Sequence, residues 1–322
     1  MYSISELMKI DKETKKYLDD RVKINSPNHH ELSPIELRKA RLAQLALDDL
    51  KGPELENIFD LKVGDEENSK FSIRVYVPCK IKQDKKMPVI LFFHGGGFVM
   101  GDLETHDYPC RYISKFSEMV VIAVDYRLAP ENKFPVSLDD AKYVHKNLDK
   151  LSLPFKIDLE NVLVCGDSAG GNLATILAIN YSYNLLPKIK GQILIYPCVD
   201  LTLSMKSMDI QLDGLVFSGK TMSYFVKHYL KNRKDEVNWE ASPLYAPNLK
   251  NQPPAYIFAA GLDPLLDEGI AYRNRLKDNG NRVYYKLYEG QIHGFVTNSK
   301  HFPKGLECLK EIGIAAKDLV GS

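Results

Sequence analysis

The chain has 322 residues, 44% of them hydrophobic, with 43 Lys and Arg set against 42 Asp and Glu. That length can bury a large core in one domain or two, and so even a charge balance argues against a nucleic-acid stripe or a polybasic membrane patch. Five scattered cysteines (Cys79, Cys110, Cys165, Cys198, Cys308) show no Cys-x-x-Cys spacing, which excludes a zinc ribbon or a redox pair. No run approaches the roughly 20 apolar residues of a membrane span, and Met1 to Ile24 has no signal-peptide core, so a reducing, cytoplasmic setting is expected.

In chain order, residues 4–20 carry a helical pattern. Ser33-Pro34-Ile35-Glu36 then starts a second helix, with Ser33 as N-cap, Pro34 at the first helical position and Glu36 closing a capping box. Ile35, Ala40, Ala43, Ala46, Leu47 and Leu50 mark its expected apolar face, and Gly52-Pro53 ends it. Residues 1–52 thus form a helical segment ahead of any strand. Ile58–Val63 and Phe71–Val77 alternate as antiparallel strands about a Gly64-Asp65 turn. Near-continuous apolar runs follow at Pro88–Phe93, Met119–Val124, Asn161–Val164, Gly191–Tyr196 and Ala255–Ala260, with a more polar run at Val283–Tyr288. Such runs suit parallel strands covered on both faces. Helical patterns between them, near 105–117, 137–150, 170–182, 265–279 and 303–319, predict an α/β fold with a mostly parallel, doubly wound, eight-stranded sheet.

Residues 200–240 break that rhythm. They hold a helical stretch (Gly219 to Leu230) and the exposed-looking Leu215, Val216 and Phe217, and are read as an insertion. The remaining sheet unit then comprises residues 53–199 and 241–322.

The chemistry concentrates at the expected strand ends. Gly166-Asp167-Ser168-Ala169-Gly170 follows a short β-branched run and precedes a helix, which places Ser168 at the tip of a strained strand-to-helix turn as a candidate nucleophile. A nucleophilic serine needs a base, and the base needs an orienting acid. His293 follows the last strand, with Gly294 leaving room beside its ring. Asp263 follows the preceding strand, where it could also serve as N-cap to the next helix. His94-Gly95-Gly96-Gly97-Phe98, after the strand Pro88–Phe93, offers bare N–H groups to an oxyanion, with the N–H of Ala169 as a further donor. The glycine loop lacks the endings of phosphate-binding loops. His94 is expected to anchor its own loop and His106 to be structural. The adjacent His29 and His30 point apart and make no metal pair.

His94-Gly95-Gly96-Gly97, Asp125-Tyr126-Arg127-Leu128-Ala129-Pro130-Glu131, Gly166-Asp167-Ser168-Ala169-Gly170-Gly171, Asp263-Pro264-Leu265 and His293-Gly294-Phe295 together resemble the hormone-sensitive-lipase-type carboxylesterases of the α/β-hydrolase superfamily. The resemblance spans roughly residues 70–300, and Gly101 to His106 resembles the microbial branch. It implies Ser168, Asp263 and His293 as the triad, with Gly96, Gly97 and Ala169 as oxyanion donors and Gly95 shaping the loop. Arg127 to Glu131 would brace the loops. It also implies a helical cap, matched in position by residues 1–52 and 200–240.

The expected activity is hydrolysis of short- to medium-chain acyl esters without metal or organic cofactor, with Phe98, Leu215 and Phe217 against the substrate. An amidase or deacetylase sharing the triad, or a receptor on the same fold, are the alternatives; receptors of this kind can lack the histidine that His293 supplies here. The expected partner is a small-molecule ester. The run Val283–Tyr288, an edge strand, could pair two copies of the chain.

Overall fold

The computed structural model describes residues 9–48, 51–64, 71–82 and 84–321. The helical pattern at 4–8 and the expectations for Leu50 and Asp65 lie outside them. Eight strands form one sheet in the order β1-β2-β4-β3-β5-β6-β7-β8: β1 (Asn57–Val63), β2 (Phe71–Val77), β3 (Lys86–Phe93), β4 (Val120–Asp125), β5 (Lys156–Asp167), β6 (Gly191–Ile195), β7 (Ala255–Leu262) and β8 (Val283–Ile292). β1 pairs with β2, and β2 with β4, antiparallel; every other neighbouring pair is parallel.

The apolar runs follow from two-sided burial. β3, β4 and β6 each expose almost nothing, because helices cover both faces. On one side lie α4 (Val136–Lys146), α5 (Ala169–Ser182) and α7 (Leu266–Asp278), packing Leu138, Leu173 and Tyr272 into a first core. On the other, α3 (Asp107–Ser117) and α8 (Pro303–Gly321) bring Ile113, Leu309 and Ile312 into a second. β5 is much longer than its apolar run, since Lys156–Glu160 projects beyond the covered region and carries polar residues. β8 likewise runs on through Ile292, which delivers His293 to the sheet's C-terminal edge.

Two segments lie outside these layers. One holds α1 (Lys12–Lys23) and α2 (Pro34–Asp48). The other is the connection between β6 and β7, where the sole long element is α6 (Gly219–Tyr229). They meet: Leu18 shares the second core with Ile210 and Leu215, and His30 Nδ1 lies 3.3 Å from Thr221 Oγ1.

α2 corrects the expectation for its face. Ile35 and Leu47 are 60% and 76% exposed, whereas Leu37 and Asp48 are buried and Arg38, Arg41 and Leu45 are half-buried. The helix docks through polar contacts that a hydrophobic pattern does not register. Arg38 donates to the carbonyls of Val99 (2.8 Å) and Ala129 (2.7 Å) and grips both carboxylate oxygens of Glu131 at 2.9 and 2.7 Å. Leu215, Val216 and Phe217 are likewise buried under this segment, not exposed.

The bracing of the loops by Arg127 rests on Asp140, a carboxylate 2% exposed that accepts from the Arg127 backbone N–H at 2.9 Å and from Nη2 at 2.6 Å. Asp140→Ala strands a half-buried guanidinium and should cost about 3 kcal/mol in urea unfolding; a loss within error of zero would mean the pair carries no stability. His145, buried on α4, has its pKa pushed down from 6.5 to about 4 by burial. Between those values the unfolded chain binds a proton that the folded one refuses. This contribution to stability is therefore complete above pH 6.5 and lost as pH falls towards 4. Removing it with His145→Gln should flatten the acid slope by up to about 1.4 kcal/mol per pH unit. An unchanged slope would show that His145 does not titrate this way.

Candidate active site

Three parallel strands deliver the three side chains. β5 ends at Asp167, and the chain turns through Ser168 with φ 55° and ψ −118° before entering α5. Glycine is required on both sides of that turn. A Cβ at Gly170 would lie 1.8 Å from the Phe93 carbonyl oxygen, and one at Gly166 would lie 2.4 Å from the backbone of Gly170. β7 ends at Leu262 and presents Asp263; β8 ends at Ile292 and presents His293.

These side chains form one hydrogen-bonded line. His293 Nε2 lies 2.9 Å from Ser168 Oγ, and Nδ1 lies 2.7 Å from Asp263 Oδ2. Asp263 is 1% exposed, and its other oxygen accepts the Leu265 N–H at 2.8 Å, which fixes the carboxylate facing the ring. Its N-cap role gives way to this, as the cap position of α7 is Leu265. The imidazole is clamped sideways by Phe217, stacked at 3.9 Å, and by Tyr196, tilted at 4.5 Å. An arrangement of this kind can take a proton from the hydroxyl and pass it onward.

The glycine loop arches over Ser168. Gly95 spends its N–H on Asp167 Oδ1 at 2.9 Å, so it shapes the loop and is no donor to substrate. Gly96 and Gly97 take φ of 117° and 61°, and their N–H groups, with that of Ala169, meet no acceptor among the described residues. Asp167 and His106 brace the loop from behind, with His106 Nε2 3.2 Å from Asp167 Oδ1. Burial works to raise the Asp167 carboxyl, but the neighbouring His106 and the Gly95 N–H outweigh it and hold the group below its ordinary range. His94 does anchor its own loop. Its Nδ1 donates to the Gly95 carbonyl at 2.8 Å and its ring stacks on Tyr126 at 4.2 Å, while burial, then His106, lowers its pKa to about 4.

Ser168 opens on two cavities of unequal size. The larger, about 750 Å³, is lined by His293, Gly96, Leu215, Phe217 and the inner faces of α1 and α2. The smaller, about 10 Å³, is walled by Phe98, Met222, Phe225 and Tyr229, and reaches Ser168, Ala169 and Gly97 but not His293. Phe98 therefore belongs to the small cavity, where its ring stacks on Tyr229 at 3.8 Å. Tyr224 lines neither, turning against Phe225 and His228. The lining residues Arg21 and Arg41 escaped the sequence reading, and His29 was weighed there only against a metal pair, because scattered polar residues carry no motif. Groups of His, Cys, Asp and Glu suited to a metal ion do not occur among the described residues.

An α/β-hydrolase fold model matches residues 90–297. The chain is 36% identical to Esterase LipI of Mycobacterium tuberculosis over 236 residues, 73% of each protein. It is 32% identical to Ethyl acetate hydrolase of Pseudomonas putida over 268 residues, 83% of this chain and 84% of that one. Among solved structures, an ester hydrolase from the metagenome of Lake Arreo superposes with a TM-score of 0.90 at 31% identity, over 98% of this chain and all of that one. A hyperthermophilic esterase of Pyrobaculum calidifontis superposes with a TM-score of 0.86 at 32% identity, again over 98% of this chain and all of the other. With the fold, the strand-end geometry and these similarities in agreement, the chain belongs to the α/β-hydrolase family, in its hormone-sensitive-lipase-type esterase branch.

Proposed function

We propose that the protein is a serine carboxylesterase for esters of short acyl chains, acting through an acyl-enzyme on Ser168. The observation that carries this reading is the hydrogen-bonded line Ser168–His293–Asp263 beneath the unpaired N–H groups of the glycine loop. His293 Nε2 takes the proton as Ser168 Oγ attacks the ester carbonyl. The oxyanion forms against the N–H groups of Gly96, Gly97 and Ala169, and Asp263 stabilises the imidazolium. His293 then protonates the departing alcohol, and water repeats the sequence on the acyl-enzyme. Residues 1–52 and 200–240 act as the cap that closes the site.

The two cavities divide the ester between them. A leaving alcohol must stand beside His293, which protonates it, so it occupies the large cavity that the histidine lines. The acyl chain points the other way, into the small cavity, whose roughly 10 Å³ is on the order of a single water site. The methyl of an acetyl group fits there as the cavity stands. Longer chains require Phe225 or Met222 to move, which narrows the expected range to its short end.

Assay of p-nitrophenyl esters from acetyl to palmitoyl tests both statements. Ser168→Ala should lower kcat by about a million-fold, and retained activity would remove Ser168 from the mechanism. Wild type should prefer acetyl over butyryl and octanoyl, while Phe225→Ala, which enlarges the small cavity, should shift the optimum to longer chains. An unshifted optimum would place the acyl chain elsewhere.

A further inference from the structure

We propose that Arg21 and Arg41 form a carboxylate-recognition subsite in the large cavity that takes the alcohol, so that the preferred ester carries a carboxylate on its alcohol portion. The proposal rests on the esterase reading and names the substrate class for that same site.

Both arginines line the cavity, Arg21 from α1 and Arg41 from α2. Neither has a carboxylate partner among the described residues. Arg21 Nη2 donates to the Pro27 carbonyl at 3.3 Å, and Arg41 Nη1 to Asn298 Oδ1 at 3.0 Å. Each guanidinium thus keeps most of its donor fork unused, in a family of side chains whose planar fork suits carboxylates.

Arg41 is tied to the reacting centre. Asn298, which accepts from it, donates through Nδ2 to the Gly294 carbonyl at 2.9 Å, and Gly294 is the residue after His293. Two hydrogen bonds therefore separate the guanidinium from the loop that carries the base. The other charges along the cavity are largely spoken for. Lys16 pairs with Asp20 at 2.8 Å, and Asp48 faces His301 at 3.4 Å and Lys300 at 4.0 Å. Asp167 is held by His106 at 3.2 Å and the Gly95 N–H at 2.9 Å, which leaves Glu13, and that carboxylate is solvent-exposed. His29 lines the same cavity and feels the excess of positive charge. Burial first, then Arg21 and Arg41, lower its pKa to about 3, so it stands neutral as a hydrogen-bonding wall. Docking of α2 through an arginine-bearing face, against its apolar pattern, has a reason here: that face lines the cavity.

The test uses acetate esters of ω-hydroxyalkanoic acids of graded length, each beside its neutral methyl-ester counterpart, with kcat/KM as the readout. Initial rates are taken from acetate release, which the methyl ester bond does not contribute to, and wild type should favour the free acid by about tenfold at the best length, an advantage that salt erodes. Arg41→Gln should abolish the preference through KM, and Arg41→Lys should keep part of it. Hydrolysis of the methyl esters with no preference for any free acid would overturn this proposal and leave the esterase reading intact. A fall of both substrates together in Arg41→Gln would overturn it as well, assigning Arg41 to support of the Asn298 loop. Failure of every ester, p-nitrophenyl acetate included, would instead sink the esterase reading beneath it.

Discussion

α5 crosses β3 at a distance that only glycine tolerates, since a Cβ at residue 170 would sit 1.8 Å from the Phe93 carbonyl oxygen. That close approach forces the chain to turn sharply at Ser168, into positive φ, and holds its hydroxyl above the sheet edge. It also brings the start of α5 against the start of the glycine loop, because Phe93 is the residue before His94. One steric condition thus places a hydroxyl, the Ala169 N–H and the N–H groups of Gly96 and Gly97 around the same point.

The parallel sheet does the rest. β5, β7 and β8 all end at one edge, so residues far apart in sequence, Ser168, Asp263 and His293, arrive together without any local signal linking them. Each is then locked by neighbours: the Leu265 N–H on Asp263, Phe217 and Tyr196 on the imidazole, and Asp167 on Gly95. Side chains held this way need little reorganisation when charge develops. The cavity wall beside them is assembled from two distant segments that grip each other through Leu18 and His30, and Arg38 fastens one of them to the loop layer.

The sheet was legible because burial on both faces leaves unbroken apolar runs, as in β3 and β4. Ends were not, where a strand outruns its cover: Lys156–Glu160 of β5 interleaves Lys156, Asp158 and Glu160 with apolar residues because solvent reaches it. The positions of Ser168, Asp263, His293 and the glycine loop were legible from strand-end motifs. The faces of α2 were not, because a helix docked by Arg38 and lining a cavity with Arg41 violates the rule that the apolar stripe faces inward. For the same reason the shared place of Arg21, His29 and Arg41 on one cavity was invisible before the fold put them there. Phe98 shows a finer limit. Its place beside the glycine loop put it near substrate, but which of two cavities it walls depends on Tyr229, far along the chain.

Covalent labelling tests most directly whether Ser168 is the activated nucleophile. After treatment with a p-nitrophenyl phosphonate, the intact mass should rise by one phosphonyl group, carried by the peptide that contains Ser168. His293→Ala should label far more slowly, having lost the base. A label on another residue, or none on a folded protein, would contradict the account.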